Sequence, residues 1–308
     1  SVTMPRVTVQ APRQRRDSVS DIAVNRGAPS DESMDSELDS TVARALDLIR
    51  QGMPHGSPSI SEMRAARDDL LLAYAPLDGS TELSQIIADG IRFEVVRAAA
   101  AASEDARVLF LVHGGIFMLG SPKGWRHLAE RFSAALRVPV VLPALRLAPE
   151  HTFPAPLDDL AAAFRHVATH GARNAPDSGV GATPPSRIAL FAESSGAGIA
   201  LSMLQARLEA REEPMPCAVA LVSPWLDLTC SSQSFRRNAR SDPVIKKEAL
   251  LNIAQVYLGR AGAGAASAAS PLRAPSKAFS QMPPTLIHVD ARESLLDDSR
   301  RLEAKLRS

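Results

Sequence analysis

The chain has 308 residues, 45% of them hydrophobic, with 35 Lys and Arg against 34 Asp and Glu. A near-zero net charge excludes a global field that would draw it onto nucleic acid or an anionic membrane. Apolar stretches such as Val108 to Val112 are far too short to span a bilayer, and the first 40 residues hold no apolar run of signal-peptide length. Cytoplasmic residence is the resulting expectation.

Residues 1–40 contain no aromatic side chain and are rich in Ser, Asp, Glu and Arg, so they are predicted to form a disordered tail. The basic run Arg13-Gln14-Arg15-Arg16 is read as part of that solvated tail. Val42, Ala45, Leu46 and Ile49 fall at helical spacing behind a Ser40 or Thr41 cap, and Ser61 to Tyr74 reads as a second helix. Residues 41–89 are assigned to N-terminal cap helices, interrupted at Pro54, Gly56 and Pro58.

From residue 90 onward strands and helices alternate. Strands are predicted at Ile91 to Val96, Arg107 to Val112, Val138 to Leu142, Arg187 to Ala192, Ala218 to Val222 and Thr285 to Val289. Helices are predicted at Leu157 to His170, Gly196 to Arg211 and Lys246 to Leu258, the last in a cap insertion of about 231–268 with a small-residue linker from Ala261 to Ser270. Runs apolar on both faces belong to a mostly parallel sheet covered by helices, so the fold class is α/β. Cys217 and Cys230 flank the run Ala218 to Val222, and as a strand at ~3.3 Å per residue it holds them well apart. A disulfide needs Cα atoms within about 7 Å, so both are read as free thiols.

Ser194 sits in Ala192-Glu193-Ser194-Ser195-Gly196, between a strand and a helix. A nucleophilic serine on a tight strand-to-helix turn needs small residues two before and two after it, and Ala192 and Gly196 meet that need. Ser195 is the rival, with the poorer flanks Glu193 and Ala197. His113-Gly114-Gly115 directly follows a buried strand, and glycines there let backbone N–H groups approach a developing oxyanion. Gly114, Gly115 and the Ser195 N–H are the candidate oxyanion-hole donors.

These motifs resemble the hormone-sensitive-lipase-like branch of the α/β hydrolases, bacterial esterase family IV. His113 to Ser121, Arg146-Leu147-Ala148-Pro149-Glu150-His151, Glu193 to Gly196, Ser223-Pro224-Trp225-Leu226-Asp227-Leu228 and Ser270-Pro271-Leu272 match its markers in order. The resemblance implies an α/β-hydrolase fold from about 90 to 308 with a helical cap. It implies a serine carboxylesterase acting on short acyl or alkyl esters or lactones, with Ser194 as nucleophile. The implied imidazole-orienting acid is Glu293 in Glu293-Ser294-Leu295-Leu296-Asp297, with Asp290 and Asp297 as rivals. Phe117, Leu119 and Trp225 are candidate acyl-pocket residues. No cofactor or metal is implied.

Several positions depart from the family pattern. Ile116 replaces a small residue of the HGG motif, and Leu145 stands where a tyrosine is usual. In relatives another strand and then the catalytic histidine follow the acid, whereas no histidine occurs between Glu293 and Ser308. His113 and His151 belong to structural segments, His288 is expected to be packed into a sheet face, His127, His166 and His170 read as helical, and His55 as loop. The expectation is therefore a C-terminally truncated chain that leaves the Thr285 strand as an unpaired edge, either less stable or covered by a partner chain such as a second copy. The alternative is a non-catalytic binder of small molecules, resembling the plant gibberellin receptors, which keep the pocket and lack the histidine.

Overall fold

The computed structural model describes residues 58–308 except 75, 89, 102–106, 173–186, 212–214, 263–265 and 267. The expected tail of 1–40, the helix begun at Val42 and His55 lie outside the described residues, as does part of the small-residue linker.

Helix α1 (Ile60–Tyr74) opens on a capping box: Ser59 N–H donates to Glu62 Oε2 at 2.8 Å while Glu62 N–H donates to Ser59 Oγ at 3.3 Å. Strands β1 (Glu82–Ala88) and β2 (Ile91–Arg97) form an antiparallel hairpin turned at Gly90, whose φ is +76°. β1 lies within the segment assigned to cap helices. The sequence signal was weak because only Ile86 of its seven residues is fully buried, while Leu83 and Ile87 are exposed.

The remaining strands are β3 (Val108–Val112), β4 (Val140–Pro143), β5 (Ile188–Glu193), β6 (Ala218–Val222) and β7 (Thr285–His288). They complete a seven-stranded sheet in the order β1-β2-β4-β3-β5-β6-β7, parallel from β4 to β7. β4 starts two residues later than expected because Pro139 has no N–H for the ladder; its carbonyl instead accepts the Leu109 N–H at 3.1 Å.

Helix α2 (Pro122–Leu136) covers one face of the sheet, where Leu109, Leu111, Trp125, Ala129 and Val140 form one core cluster. Helices α3 (Ala155–His170) and α4 (Ser194–Glu209) cover the other, with Phe110 packed 5.7 Å from Phe164 between ring centroids. The continuous apolar run of β3 is thereby explained, because alternate residues enter cores on opposite faces. The chain continues through α5 (Ser234–Arg237) and α6 (Lys247–Leu258), and ends in α7 (Leu296–Leu306).

β7 is the outermost strand, with Thr285 and Ile287 buried but Leu286 and His288 exposed. The expected packing of His288 into a sheet face is thus corrected: the face it points to is open. Both cysteines are free, Cys217 exposed and Cys230 buried. Among the described residues no helix is long and apolar enough to cross a membrane.

The topology itself marks a site. From β3 the chain moves outward to β4, then crosses back to β5 on the other side of β3. Ligands of open α/β sheets bind at such a switch point, beyond the carboxyl ends of the strands. Val112 pairs with Ala192, so the segments that follow, His113-Gly114 and Glu193-Ser194, emerge side by side.

Candidate active site

Ser194 is the junction of β5 and α4, and its φ is +50°. A non-glycine residue in this left-handed region is strained and persists only where its surroundings impose it. The helix begins at Ser194 itself, two residues before the expected start, so the turn is tighter than the sequence suggested. Its tightness is enforced by Gly196: a Cβ there would stand 2.4 Å from the His113 carbonyl oxygen and 2.6 Å from that of Val112. Ser194 is half-buried, whereas Ser195 is 1% exposed and its Oγ accepts the Phe117 N–H at 3.2 Å. The rival serine is therefore committed to structure.

Gly114 lies directly against the turn, where an added Cβ would sit 3.1 Å from Ser194 Cβ. Gly115 has φ +123°, and a Cβ on it would fall 2.1 Å from the Leu119 carbonyl oxygen. Both glycines are required by space or conformation. Their amides differ. The Gly114 N–H donates to Glu193 Oε1 at 3.2 Å, which corrects the expectation that it is a free oxyanion donor. The Gly115 N–H makes no hydrogen bond among the described residues. The Ser195 N–H belongs to the first turn of α4, whose amides lack intrahelical acceptors and face a favourable dipole for an anion.

His113 braces the loop. Its Nδ1–H donates to the Gly114 carbonyl at 2.7 Å, and its ring lies 5.0 Å from that of Trp125. Burial drives its pKa down to about 4, so the imidazole is neutral near pH 7.

Glu293 lies just beyond β7. Its Oε1 accepts Ser223 Oγ–H at 2.8 Å and the Asp290 N–H at 3.2 Å, and burial pushes its pKa up from the usual glutamate value. Asn238 Nδ2 holds the backbone there by donating to the Ala291 and Glu293 carbonyls. The rival carboxylates are engaged elsewhere. Asp297 accepts the Ser234 N–H and pairs with Arg237 at 2.9 Å; burial acts to raise its pKa, but those partners leave it lowered. Asp290 is exposed and tied to Arg292. Among the described residues Glu293 has no cationic partner.

One loop links Glu293 and Ser194. Ser223 reaches Glu293 with its hydroxyl, and two residues on, the Trp225 N–H donates to the Ser194 carbonyl at 3.1 Å. The loop is held from below by Asp298, which accepts the N–H groups of Leu226 and Asp227 and the hydroxyl of Ser232.

A left-handed serine at a strand-to-helix turn, facing a glycine loop at the switch point, is an α/β-hydrolase arrangement, and the sequence profile of that fold's third family, described as "alpha/beta hydrolase fold", matches residues 109–308. The chain belongs to the hormone-sensitive-lipase-like α/β hydrolases, a family of carboxylic ester hydrolases. It is 34% identical over 203 residues to an acetyl-hydrolase of Streptomyces hygroscopicus, spanning 66% of this chain but only 62% of that relative. It is 32% identical over 237 residues to an esterase of Acinetobacter venetianus, spanning 77% of this chain and 72% of the relative. The crystal structure of an esterase from the bacterial hormone-sensitive lipase family superposes with a TM-score of 0.75 at 33% identity, covering 86% of this chain and 82% of the other.

The three expected pocket residues are almost fully buried. Phe117 is stacked on Tyr257 at 3.9 Å between centroids and lies 5.1 Å from Trp225, while Leu119 is 6% exposed. Phe117, Trp225 and Tyr257 form one aromatic cluster. Among the described residues no histidine is hydrogen-bonded to Ser194 or Glu293. His151 is exposed and borders a separate cavity of about 390 Å³ with Arg64, Arg146 and Glu150.

Sequence reasoning also missed Glu193, Trp125 and Arg67, which converge behind the glycine loop. Arg64 and Arg67, three apart on α1, were the available signal, since two cations on one helical face toward the core demand partners.

Proposed function

We propose that this chain hydrolyses carboxylic esters with short acyl or alkyl groups, or lactones, through a serine-linked acyl-enzyme. Ser194 Oγ attacks the ester carbonyl carbon, forming the C–O bond as its proton leaves to a base. The N–H groups of Gly115 and Ser195 receive the developing oxyanion, with Gly114 fixing their spacing. The alcohol departs with a proton, and water then cleaves the Ser194 ester to release the acid. Glu293 orients an imidazole for these proton transfers, and that base has to be supplied, since no histidine among the described residues is bonded to Glu293 or Ser194. The observation that carries the proposal is the strained Ser194 turn pressed against Gly114.

Turnover of short p-nitrophenyl esters tests it. Ser194→Ala should remove most of the turnover that exceeds the solution background, with or without added imidazole. An unchanged rate would remove Ser194 from the chemistry.

A second reading is favoured by one specific feature, the lack of a described histidine bonded to Ser194 or Glu293. A non-catalytic binder of small molecules would bind short esters saturably without releasing alcohol, and calorimetry beside the ester assay separates the two.

A further inference from the structure

The Gly114 amide has a partner that the ester chemistry does not use. Glu193 Oε1 accepts it at 3.2 Å and also accepts Trp125 Nε1–H at 3.1 Å. The guanidinium of Arg67 lies over the same indole, its Cζ 5.2 Å from a ring centroid. Glu193 has no ion pair among the described residues, and Arg67 Nε is buried without an acceptor. The two opposite charges are thus assembled around one aromatic plate, each offsetting part of the other's desolvation.

Helix α1, which carries Arg67, is seated firmly. Ser121 Oγ–H donates to Asp68 on that helix, and a Cβ at Gly124 would lie 2.7 Å from Asp68 Oδ1. Arg64 donates to the Met118 carbonyl at 2.7 Å, at the far end of the glycine loop. Burial lowers the Arg67 pKa while Glu193 and Asp68 oppose the shift, in line with coupling between the charges.

We propose that Arg67 is a positioning residue: through Trp125 it keeps Glu193 as the acceptor that fixes the Gly114 amide, so docking of helix α1 sets the aim of the oxyanion loop. The catalytic consequence rests on the ester-hydrolase reading; the coupling itself does not.

The test is a cycle of Arg67→Met, Glu193→Gln and the double variant in the full chain, read in two ways. Kinetics with a short p-nitrophenyl ester give kcat and KM. Indole ¹⁵N–¹H spectra, assigned with Trp125→Phe, follow the Trp125 N–H, since the chain has two tryptophans. Arg67→Met should lower kcat by about tenfold with KM within about twofold, and should shift the Trp125 cross-peak. In the Glu193→Gln background the same change should cost less than about twofold, because coupled neighbours are not additive. Arg67→Lys should recover most of kcat, which keeps the test decisive if Arg67→Met folds poorly. Multiplicative effects with an unmoved Trp125 peak, or a Lys variant as impaired as the Met variant, would overturn the proposal. If the parent chain shows no turnover even with added imidazole, the hydrolase reading fails there, and the indole cycle alone still decides the coupling.

Discussion

Ser195 Oγ accepts the Phe117 N–H at 3.2 Å, which ties the first turn of helix α4 to the glycine loop after β3. Ser195→Ala removes that acceptor and leaves a buried N–H unpaired, at a cost of about 1–3 kcal/mol. The expected result is a lower urea midpoint and a moderate fall in kcat, well short of the loss in Ser194→Ala. Equal losses in the two variants would mean that the serine roles are misassigned.

Gly196 is expected to tolerate no side chain. A Cβ at 2.4 Å from the His113 carbonyl must push β3 and α4 apart. Gly196→Ala should lose roughly 2 kcal/mol or more, in the range of overpacked cores, measured by urea unfolding. Gly79→Ala is the control, since nothing lies within 4 Å of a Cβ added there and its φ is outside the left-handed region.

The parallel core was legible because its strands are short continuous apolar runs and each is followed by a helix. β5 shows both features, whereas the helix after β3, α2, was not read from the sequence; the residues after each strand could be read as a glycine loop and a nucleophile turn. β1 was not legible, since six of its seven residues are at most half-buried and carry little hydrophobic signal. The packing of Phe117 and Trp225 was illegible for a different reason: an aromatic side chain beside a motif looks the same in sequence whether it lines a pocket or stacks on other rings. The link from Arg67 through Trp125 to Glu193 joins residues far apart in the chain, and only the seating of α1 on α2 brings them together.

Asp298 gives a pH dependence with a defined sign. Burial is the largest influence on it and raises its pKa to about 6, above the usual aspartate value of 3.8. A carboxyl whose folded pKa exceeds its unfolded one contributes stability that is fully present below about pH 4 and lost as pH rises through about 6. Asp298→Asn should therefore weaken the decline in urea midpoint between those pH values, with Asn still able to accept from Leu226 or Asp227. A decline as steep as the parent's would show that Asp298 is not its source.

Added imidazole should distinguish a site that lacks only its base from one that cannot react. A small base diffusing between Ser194 and Glu293 is expected to accelerate ester turnover in the parent chain above the solution background, and to give no such gain in Ser194→Ala. An equal gain in both would place the chemistry in solution.

The most direct measurement is the site of acylation. The chain is mixed with p-nitrophenyl acetate, with and without imidazole, quenched in acid and mapped by peptide mass spectrometry. A single acetyl group is expected on Ser194, absent from Ser194→Ala. An acetyl group on Ser195 or another residue, or none on Ser194 under either condition, would contradict it.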